Sequence, residues 1–553
     1  MRFALLLLAA GLTANLVACG GQNESTATAD SVAVPVVDAS NPLGVRGPVA
    51  GVIRKANGAE PPTLDTHRAQ DVTSSNILRD LFEPLVGEAP DGSLIPGAAS
   101  QWEISDDGKT YTFTIDADAF WSNGDPVTAK DFVFSLRRSV DPATGSHYAQ
   151  ILEPIKNTAE VIAGTLPAEA LGVKALDSKT LEITLNAATP YFLGLLTHST
   201  AYPVHPASVQ AHGEQFIRAG KLVSNGAYEL SEWQIQSHIK LSAQKHWRKA
   251  HGVETVYYLP IDDQEAALKR YRANEIDYND SLPVGKCEWV RDNLAEDLVT
   301  HAYLGTYYFG LNTTKPPFDN PDVRKALSLA VDRELLINKI LKCGQIPAYS
   351  WVPPNVNNYQ QQQPEWASWT QQQRDLEAAK LFANAGYGPG NRLKFELLYN
   401  TSEGHKKIAT VLAAMWKQKL GVEVSLRNQE WKVFLNTKRD ASKTEMFRAG
   451  WIGDYNDAFT FAEILRGGHG MNDQGWNNPE YNALLKASAE ETDTAKRQAI
   501  LQQAEQILLA EQPIIPLYYY VNNSLVKPWV QGYQGNVMDH HFSYRWSIKE
   551  STK

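Results

Sequence analysis

Strand-type and helix-type patterns alternate along this chain of 553 residues, and no internal repeat of roughly 20–50 residues is present, which excludes a solenoid. Thr110–Ile115 alternates apolar with polar residues as a strand does, whereas residues 322–342 carry apolar residues at the spacing of one long helix. Another helix is predicted to begin at Thr128, because Asp131 follows at the spacing of a capping box. A chain of this length exceeds what one hydrophobic core usually holds. The sequence therefore predicts an α/β protein with two or three lobes.

The charge balance argues against one class of partner. The net charge is −10, and removing residues 1–18, whose only charged residue is Arg2, makes it −11. Binding to nucleic acid requires a basic surface, which neither the total charge nor any local cluster of Lys and Arg provides. We therefore expect no nucleic-acid partner.

The beginning of the chain has the pattern of an export signal. The apolar run over residues 3–10 is too short for a membrane span, which takes about 20 residues. The tetrapeptide LVAC at 16–19 resembles the lipobox of bacterial lipoproteins, in which the cysteine is acylated. We predict a signal peptide over residues 1–18, a lipid anchor to a membrane at Cys19 and a flexible tether over residues 19–49. A plain cleavable signal is the alternative.

The two other cysteines leave their pairing open. In an oxidising compartment Cys287 and Cys343 could form a disulfide, but two isolated thiols fit the sequence equally well. With so few cysteines, a zinc site built from thiolates is not expected.

Local signatures of catalysis are absent from the sequence. It contains no GxSxG elbow, no GxxxxGK[ST] phosphate loop, no HExxH helix and no GxGxxG turn after a strand. His469 and the pair His540-His541 could bind a metal ion, although adjacent histidines on a strand point in opposite directions. A catalytic dyad assembled from distant residues stays an alternative, because such sites are defined by geometry. We predict a protein that is not an enzyme and that has neither a cofactor nor a metal site.

One stretch, RAGWIGDYN at 448–456, combines a cation, an anion and two large aromatic residues with two glycines. Glycine permits close approach of a ligand or a backbone, because it has no Cβ. An aspartate such as Asp454, beside aromatic residues in a partly desolvated cleft, would favour an amine that can donate hydrogen bonds. The alternative is a surface turn in which Asp454 caps a helix over residues 458–465.

Several further stretches occur together with this one in a specific order. They are 121–131 (WSNGDPVTAKD), 139–142 (SVDP), 225–228 (NGAY), 316–318 (PPF), 323–327 (VRKAL), 332–333 (DR), 399–402 (YNTS), 405–407 (HKK), 429–432 (QEWK), 518–522 (YYYVN) and 525–530 (LVKPWV). Each motif alone is weak, but their number and order are specific. Over residues 52–546 the chain resembles the extracytoplasmic oligopeptide-binding proteins of ABC importers, the large three-lobed class of solute-binding proteins.

The resemblance implies a clamp like that of periplasmic binding proteins, with two α/β lobes and an extra subdomain joined by a two-strand hinge. By position, lobe Ia would comprise residues 50–82, 208–304 and 521–553, lobe Ib residues 83–207, and lobe II residues 305–520. In this family the ligand closes the lobes, and a peptide lies extended with its main chain bonded to protein strands.

The function implied is that of a monomeric receptor in the periplasm or cell envelope, which captures short peptides and delivers them to the permease subunits of an ABC transporter. One alternative is the same fold binding another solute, such as a dipeptide, a murein peptide or a nickel complex. The other is a secreted peptidase.

The resemblance also implies roles for individual residues. Asp454 would pair with the α-amino group of the peptide, and Gly450 and Val72 would bond to its main chain. Arg448 and His405 would reach the C-terminal carboxylate of peptides of different length. The other positions matched to the cleft are Trp451, Trp431, Tyr148, Tyr303, Tyr308, Tyr520, Gln70 and Lys438, with Arg439 as the alternative to Lys438.

The chain departs from the family pattern at several of these positions. A cysteine pair near the cleft of the family would fall at Gly305 and Ile452, so that disulfide is absent here. Acidic residues of the family's pockets correspond to the neutral residues Gln70, Gly310 and Ser242. We therefore predict a weaker preference for peptides with Lys or Arg, and a roomier pocket at Gly310 beside Tyr308.

Overall fold

The structure is a computed structural model that describes residues 42–549. The predicted signal peptide, Cys19 and most of the predicted tether lie outside the described residues. Within residues 42–549, no helix combines the length and the apolar character that crossing a membrane requires.

Strands and helices alternate through the described chain, as the sequence predicts. The strands are β1 (Val52–Ala56), β2 (Val86–Glu88), β3 (Leu94–Pro96), β4 (Ala99–Ile104), β5 (Thr110–Ile115), β6 (Val173–Ala175), β7 (Thr180–Thr184), β8 (Tyr228–Gln234), β9 (His238–Ala243), β10 (Thr255–Leu259), β11 (Tyr278–Asn279), β12 (Leu298–Leu311), β13 (Ile346–Pro347), β14 (Lys394–Asn400), β15 (Glu423–Gln429), β16 (Met446–Ile452), β17 (Ile514–Val526), β18 (Val530–Gln531) and β19 (Ser547–Ile548).

The α-helices are α1 (Val72–Leu81), α2 (Ala129–Val140), α3 (Thr158–Ile162), α4 (Phe192–Leu195), α5 (Pro206–His212), α6 (Gln264–Arg272), α7 (Cys287–Asn293), α8 (Pro321–Leu329), α9 (Arg333–Leu335), α10 (Gln371–Asn384), α11 (Glu403–Leu420), α12 (Trp431–Arg439), α13 (Phe459–Glu463), α14 (Pro479–Glu490) and α15 (Thr494–Glu511). A π-helical turn, Leu336–Leu341, continues α9. Short 3-10 segments cover Pro42–Gly44, Pro142–Thr144, Ala149–Leu152, Ala168–Ala170, Ser199–Ala201, Gly213–Ile217, Glu365–Ser368 and Ser543–Arg545.

One mixed sheet runs through the protein in the order β15-β14-β16-β12-β17-β11-β1-β10-β9-β8, with β13 paired to β17. The two long strands β12 and β17 pair antiparallel in its middle, and their register shifts between Ala302 and Thr306. β14–β16 lie on one side of this pair, and β11, β1 and β8–β10 lie on the other. The sheet therefore has two halves that β12 and β17 connect.

A separate antiparallel sheet, β4-β5-β7-β6, forms the extra subdomain together with α2. The inward residues of β5, Tyr111, Phe113 and Ile115, are buried, as the alternating sequence pattern predicts. At the start of α2, the carboxylate of Asp131 accepts a hydrogen bond from the N–H of Thr128 at 2.8 Å. The predicted helix start at Thr128 is therefore confirmed.

The prediction of one long helix over residues 322–342 is wrong. α8 ends at Leu329, and a new helix begins at Arg333 because the carboxylate of Asp332 accepts from the N–H of Leu335 at 2.9 Å. The buried guanidinium of Arg333 donates to the carbonyls of Ala348 and Pro516 at 2.7 and 2.9 Å. Apolar periodicity continues across the break, so the sequence pattern alone does not reveal it.

Two long-range connections fasten distant segments of the chain to one another. Cys287 at the start of α7 and Cys343 form a disulfide, which decides between the alternatives left open by their spacing. The guanidinium of Arg54 on β1 donates from Nε and Nη2 to the carboxylate of Asp277 at 2.9 and 2.8 Å, and the N–H of Arg54 adds a third bond at 2.8 Å. Both of these charged side chains are fully buried. A buried pair of this kind destabilises a protein strongly when one partner is removed.

Candidate functional site

Two adjoining cavities lie against the central strands of the large sheet. The first, here called the proximal cavity, has a volume of about 340 Å³ and contains Asp454 in its lining. The second, the distal cavity, has a volume of about 280 Å³ and contains His405 in its lining. Because Val72, Tyr303 and Tyr520 line both cavities, they form one continuous cleft.

The site residues predicted from the sequence gather in this cleft. His405 lines the distal cavity. The proximal cavity is lined by Asp454, Gly450, Trp451, Arg448, Trp431, Lys438, Tyr148, Tyr303, Tyr308, Tyr520, Val72 and Gln70. Arg439, the alternative to Lys438, is not among the lining residues. The roles of these residues in binding stay predictions.

Asp454 follows β16 and presents a buried carboxyl to the proximal cavity. Its side chain is 10% exposed, and its nearest basic neighbour is the Nε2 atom of His198, 3.5 Å from Oδ1. Thr460 accepts from the N–H of Asp454 at 3.1 Å, and its hydroxyl lies 3.4 Å from Oδ2. Within residues 42–549, no lysine or arginine forms an ion pair with this carboxyl.

Burial controls the charge of this pair. It raises the pKa of Asp454 to about 8 and lowers the pKa of His198 to about 3, because each charged form loses hydration that no partner replaces. The imidazole of His198 is therefore neutral at neutral pH and does not compensate the carboxylate. A ligand cation at this place would be the missing counter-charge.

The alternative interpretation of Asp454 as a helix cap is wrong. α13 begins at Phe459, and the side chain that accepts from the N–H of Phe459, at 2.8 Å, belongs to Asp457. The carboxyl of Asp454 is thus left facing the cavity.

Gly450 on β16 is required by the close approach of Tyr520. A Cβ atom at position 450 would lie 2.5 Å from the hydroxyl oxygen of Tyr520, which is well inside van der Waals contact. The same hydroxyl accepts a hydrogen bond from Nη2 of Arg448 at 3.0 Å. Strands β16 and β17, which flank β12, therefore bring a glycine, a phenol and a guanidinium together in the cleft wall.

Arg448 offers a cation to the cleft. Its guanidinium lies 4.6 Å from the ring centre of Tyr307, and it donates to the hydroxyl of Tyr520 at 3.0 Å and to Oδ1 of Asn400 at 3.5 Å. Its buried Nε atom has no hydrogen-bond partner in this part of the chain. A carboxylate from a ligand would complete the hydrogen bonding of this side chain.

The two other basic residues predicted for the cleft, Lys438 and His405, differ from Arg448. Nζ of Lys438 lies 2.7 Å from the carboxylate of Asp473, so its charge is already compensated. Nδ1 of His405 lies 3.2 Å from the hydroxyl of Tyr307. Burial, followed by the nearby charge of Arg448, lowers the pKa of His405 well below its ordinary value. His405 is therefore a neutral hydrogen-bonding group.

Aromatic rings line the wall beside Asp454. Tyr148 stacks between His198 and Trp451, with ring centres 4.7 and 6.0 Å apart. The indole N–H groups of Trp431 and Trp451 and the amide oxygen of Gln70 are buried without a partner among residues 42–549. Buried polar atoms normally have a partner, so these atoms are available to a ligand or to water.

Several lining residues were missed by the sequence analysis. His198 comes from the segment before a 3-10 turn, more than 250 positions from Asp454, and belongs to no motif. In the distal cavity, Lys55, Asp280 and Asp539 contribute charge from three separate segments. No local pattern distinguishes them, because only the folded chain brings them together.

The predicted roomy pocket at Gly310 is wrong. A Cβ atom at this position would lie 2.3 Å from the ring of Phe447, which fills the space. Ser242 does not line the cleft either, since it lies on β9 and accepts a hydrogen bond from the hydroxyl of Ser231 at 2.7 Å. Gly305 and Ile452 are direct partners on β12 and β16, and the side chain of Ile452 occupies the place of a side chain at 305.

Residues from both halves of the sheet line the cleft, and the strands β12 and β17 connect these halves. This arrangement defines a solute-binding clamp. Residues 93–473 match the family model described as bacterial extracellular solute-binding proteins, family 5 Middle. Periplasmic oligopeptide-binding protein OppA of Escherichia coli (strain K12) is 41% identical over 499 residues, which cover 89% of this chain and 92% of OppA. The chain belongs to the family 5 bacterial extracellular solute-binding proteins.

Solved structures agree with this assignment and confirm the predicted clamp fold. The murein tripeptide binding protein MppA of E. coli superposes with a TM-score of 0.89 at 36% identity, covering 92% of this chain and 100% of MppA. OppA of Haemophilus influenzae in complex with the peptide RPPGFSPFR gives 0.88 at 37% identity, covering 91% and 100%. The unliganded open form of MppA gives only 0.66 at 36% identity, covering 92% and 99%, so the two halves are not arranged here as in that form.

Proposed function

We propose that this protein is a receptor that captures short peptides in an extended conformation and delivers them to the permease of an ABC transporter. The observation that carries the proposal is the buried carboxyl of Asp454, which faces the cleft without a cationic partner among the described residues. The relatives support it, because OppA and MppA are described as oligopeptide-binding and murein peptide-binding proteins. The same relatives are described as periplasmic, which supports a location in the periplasm.

In this proposal the peptide begins at Asp454 and runs from the proximal into the distal cavity. Its α-amino group pairs with Asp454, and its main chain bonds to the backbone of Gly450 and Val72. The C-terminal carboxylate of a peptide of suitable length reaches Arg448 or, farther along the cleft, His405. Main-chain bonding of this kind gives affinity without requiring one sequence.

The lobe boundaries and the anchor belong to the same proposal. Lobe Ia comprises residues 50–82, 208–304 and 521–553, lobe Ib residues 83–207, and lobe II residues 305–520. The register shift in the β12–β17 pair supports a hinge in these strands. The protein is a monomer that Cys19 anchors by lipid to a membrane of the cell envelope.

The direct test is native mass spectrometry of the purified protein incubated with an equimolar mixture of peptides of graded length. We expect one intact peptide per protein molecule, with free N-terminal amines. Hydrolysis of the mixture at catalytic protein concentrations would favour the peptidase alternative. Binding of a nickel complex with no peptide bound would favour another solute.

Peptide binding should release about one proton per complex at about pH 6.5. Burial raises the pKa of Asp454 to about 8, so without ligand the carboxyl is protonated below that pH. An ammonium beside it lowers its pKa, so the bound carboxyl ionises and the proton leaves. Because the complex holds fewer protons, affinity should rise with pH up to about 8 and fall above it, where the peptide amine is itself deprotonated.

The measurement is calorimetry in two buffers that differ in ionisation enthalpy. The observed heats should differ between the buffers for the wild type and agree for Asp454→Asn. Equal heats for the wild type in both buffers would contradict this assignment of the proton.

Peptides with lysine should bind less favourably than peptides with phenylalanine when that side chain enters the proximal cavity. The side chain at position 70 is a neutral amide, so a ligand cation beside Gln70 loses hydration without gaining a counter-charge from this residue. Gln70→Glu should improve the binding of Ala-Lys-Ala relative to Ala-Phe-Ala by ~1 kcal/mol, which is about fivefold. The control is Gln101→Glu on the exposed surface of β4. If the affinity of Ala-Lys-Ala relative to Ala-Phe-Ala were unchanged in Gln70→Glu, Gln70 would not contact the peptide side chain.

A further inference from the structure

Two histidines and an aspartate converge at the edge of the distal cavity. His301 lies on β12, and Asp539 and His541 lie in the segment that precedes β19. The Nε2 atoms of His301 and His541 are 3.4 and 2.7 Å from Oδ1 of Asp539. The three potential ligand atoms all lie within 4.8 Å of one another, and the side chains are only 10–12% exposed.

Hydrogen bonds behind the cluster orient its donor atoms. Nδ1 of His301 lies 3.0 Å from the carbonyl oxygen of Ala302, which can only accept, so Nδ1 carries a proton and Nε2 is the atom left to bind a metal ion. The amide of Asn522 donates to Oδ2 of Asp539 at 2.6 Å, which leaves Oδ1 facing the imidazoles. Metal-binding histidines and carboxylates are typically held by such outer bonds.

The cluster is accessible from the cleft. Asp539 and His541 line the distal cavity, and Asp280 lines the same cavity. The neighbouring His540 does not take part, because its Nδ1 atom lies 2.7 Å from the carboxylate of Glu88. An ion held by the three donors would therefore have an open coordination position toward the solute.

We infer that His301, Asp539 and His541 bind a divalent transition metal ion such as Zn²⁺, and that the ion recognises a metal-ligating group of the bound solute. Two imidazoles, one carboxylate and an open fourth position are the donor set of open zinc sites. Tetrahedral bonds of about 2.0–2.1 Å place donor atoms roughly 3.3 Å apart. The His301–Asp539 distance of 3.4 Å already fits this spacing, and the 2.7 Å distance of His541 would widen by a small side-chain rotation.

A purely structural role is the competing explanation, in which Asp539 is hydrogen-bonded by two imidazoles and holds β12 against the C-terminal segment. The two explanations differ in a simple observable. A structural cluster stabilises the protein without metal, whereas a metal site gives saturable binding of one ion per chain.

The first experiment needs no peptide. Zn²⁺ is titrated by calorimetry into the chelator-treated full chain, with thermal unfolding followed in parallel. We expect one ion per chain and at least tenfold weaker binding in His541→Gln and His301→Gln. Binding should be roughly 10–100-fold weaker in Asn522→Leu, which removes the orienting bond to Asp539 together with the bond from the hydroxyl of Ser524. A cooperative thermal unfolding transition in the presence of chelator shows that each variant is folded without metal.

The matched control is His238→Ala. This histidine also lies beside a carboxylate, with Nε2 3.1 Å from Glu232, but in a different part of the protein and without a second imidazole. Zn²⁺ binding should be unchanged in this variant. The metal site would be overturned if the wild type did not bind Zn²⁺ stoichiometrically. It would also be overturned if the His541→Gln and His301→Gln variants bound Zn²⁺ as tightly as the wild type does.

The second experiment tests recognition of the solute and rests on the proposed function. Binding of Ala-Ala-His and Ala-Ala-Ala is compared with and without Zn²⁺. We expect Zn²⁺ to increase the affinity of the histidine peptide alone, and His541→Gln to abolish the increase. Peptide binding that never responds to Zn²⁺ would overturn the recognition step while supporting the proposed function, and failure of both peptides to bind would count against the proposed function itself.

Discussion

Asp454→Asn should weaken the binding of a free-amine tripeptide by a factor of roughly 30 to several thousand, or about 2–5 kcal/mol. The substitution keeps the shape of the side chain but removes the charge that would pair with the α-amino group. The bound ammonium would then be buried beside His198, whose imidazole is neutral and stacked on Tyr148. Isothermal calorimetry at neutral pH measures the loss.

Two controls make this result specific. Glu463→Gln changes another buried carboxyl with a pKa raised to about 8, but Glu463 accepts from the hydroxyl of Tyr455 at 2.9 Å and does not line the cleft. Peptide affinity should be nearly unchanged in this variant. N-acetylation of the peptide should weaken binding to the wild type and have little further effect on Asp454→Asn. Equal affinity of the wild type for acetylated and free peptides would refute the role of Asp454.

Asp277→Ala should lower the free energy of unfolding by about 3–5 kcal/mol. The substitution leaves the guanidinium of Arg54 fully buried without the carboxylate that receives two of its hydrogen bonds and a third from the N–H of Arg54. It also removes the acceptor of the indole N–H of Trp529, which lies 2.9 Å from Asp277. Denaturant unfolding followed by fluorescence measures the change.

The control for this prediction is Glu403→Ala. Glu403 pairs with Lys406 at 3.4 Å on the surface, and its side chain is largely exposed. Its removal should cost less than about 1 kcal/mol, because exposed pairs contribute little. Similar losses in both variants would show that the Arg54–Asp277 pair is no more important than a surface contact.

The family resemblance named many residues of the proximal cavity, because the motifs preserve side-chain chemistry and order, but in the distal cavity it named only His405 and the three residues that line both cavities. Arg448, Gly450 and Trp451 lie on β16 and Asp454 follows two residues after its end, so all four belong to one short segment. Strand limits such as Thr110–Ile115 were also predictable, because alternation with a period of two is a local property.

What the sequence could not show depends on contacts between distant segments. The break after α8 arises where Arg333 bonds to carbonyls of two other segments, and apolar spacing does not record such bonds. The space at Gly310 depends on the ring of Phe447, its partner on the neighbouring strand β16. The cluster of His301 with Asp539 and His541 joins residues more than 230 positions apart, so no local spacing indicates it.

The register shift between Ala302 and Thr306 has a consequence for how selectivity can evolve in this protein. β12 connects the two halves of the sheet and also supplies Tyr303 and Tyr308 to the cleft. In the hinge proposed above, a change at the shift itself would alter the fraction of molecules that are closed, and the apparent affinity for every solute would scale with that fraction. Such a change multiplies all dissociation constants by one common factor and leaves their ranking intact. A change in a lining side chain would instead alter the ratios between the dissociation constants of different solutes. Two positions a few residues apart on one strand would therefore control overall affinity and selectivity separately.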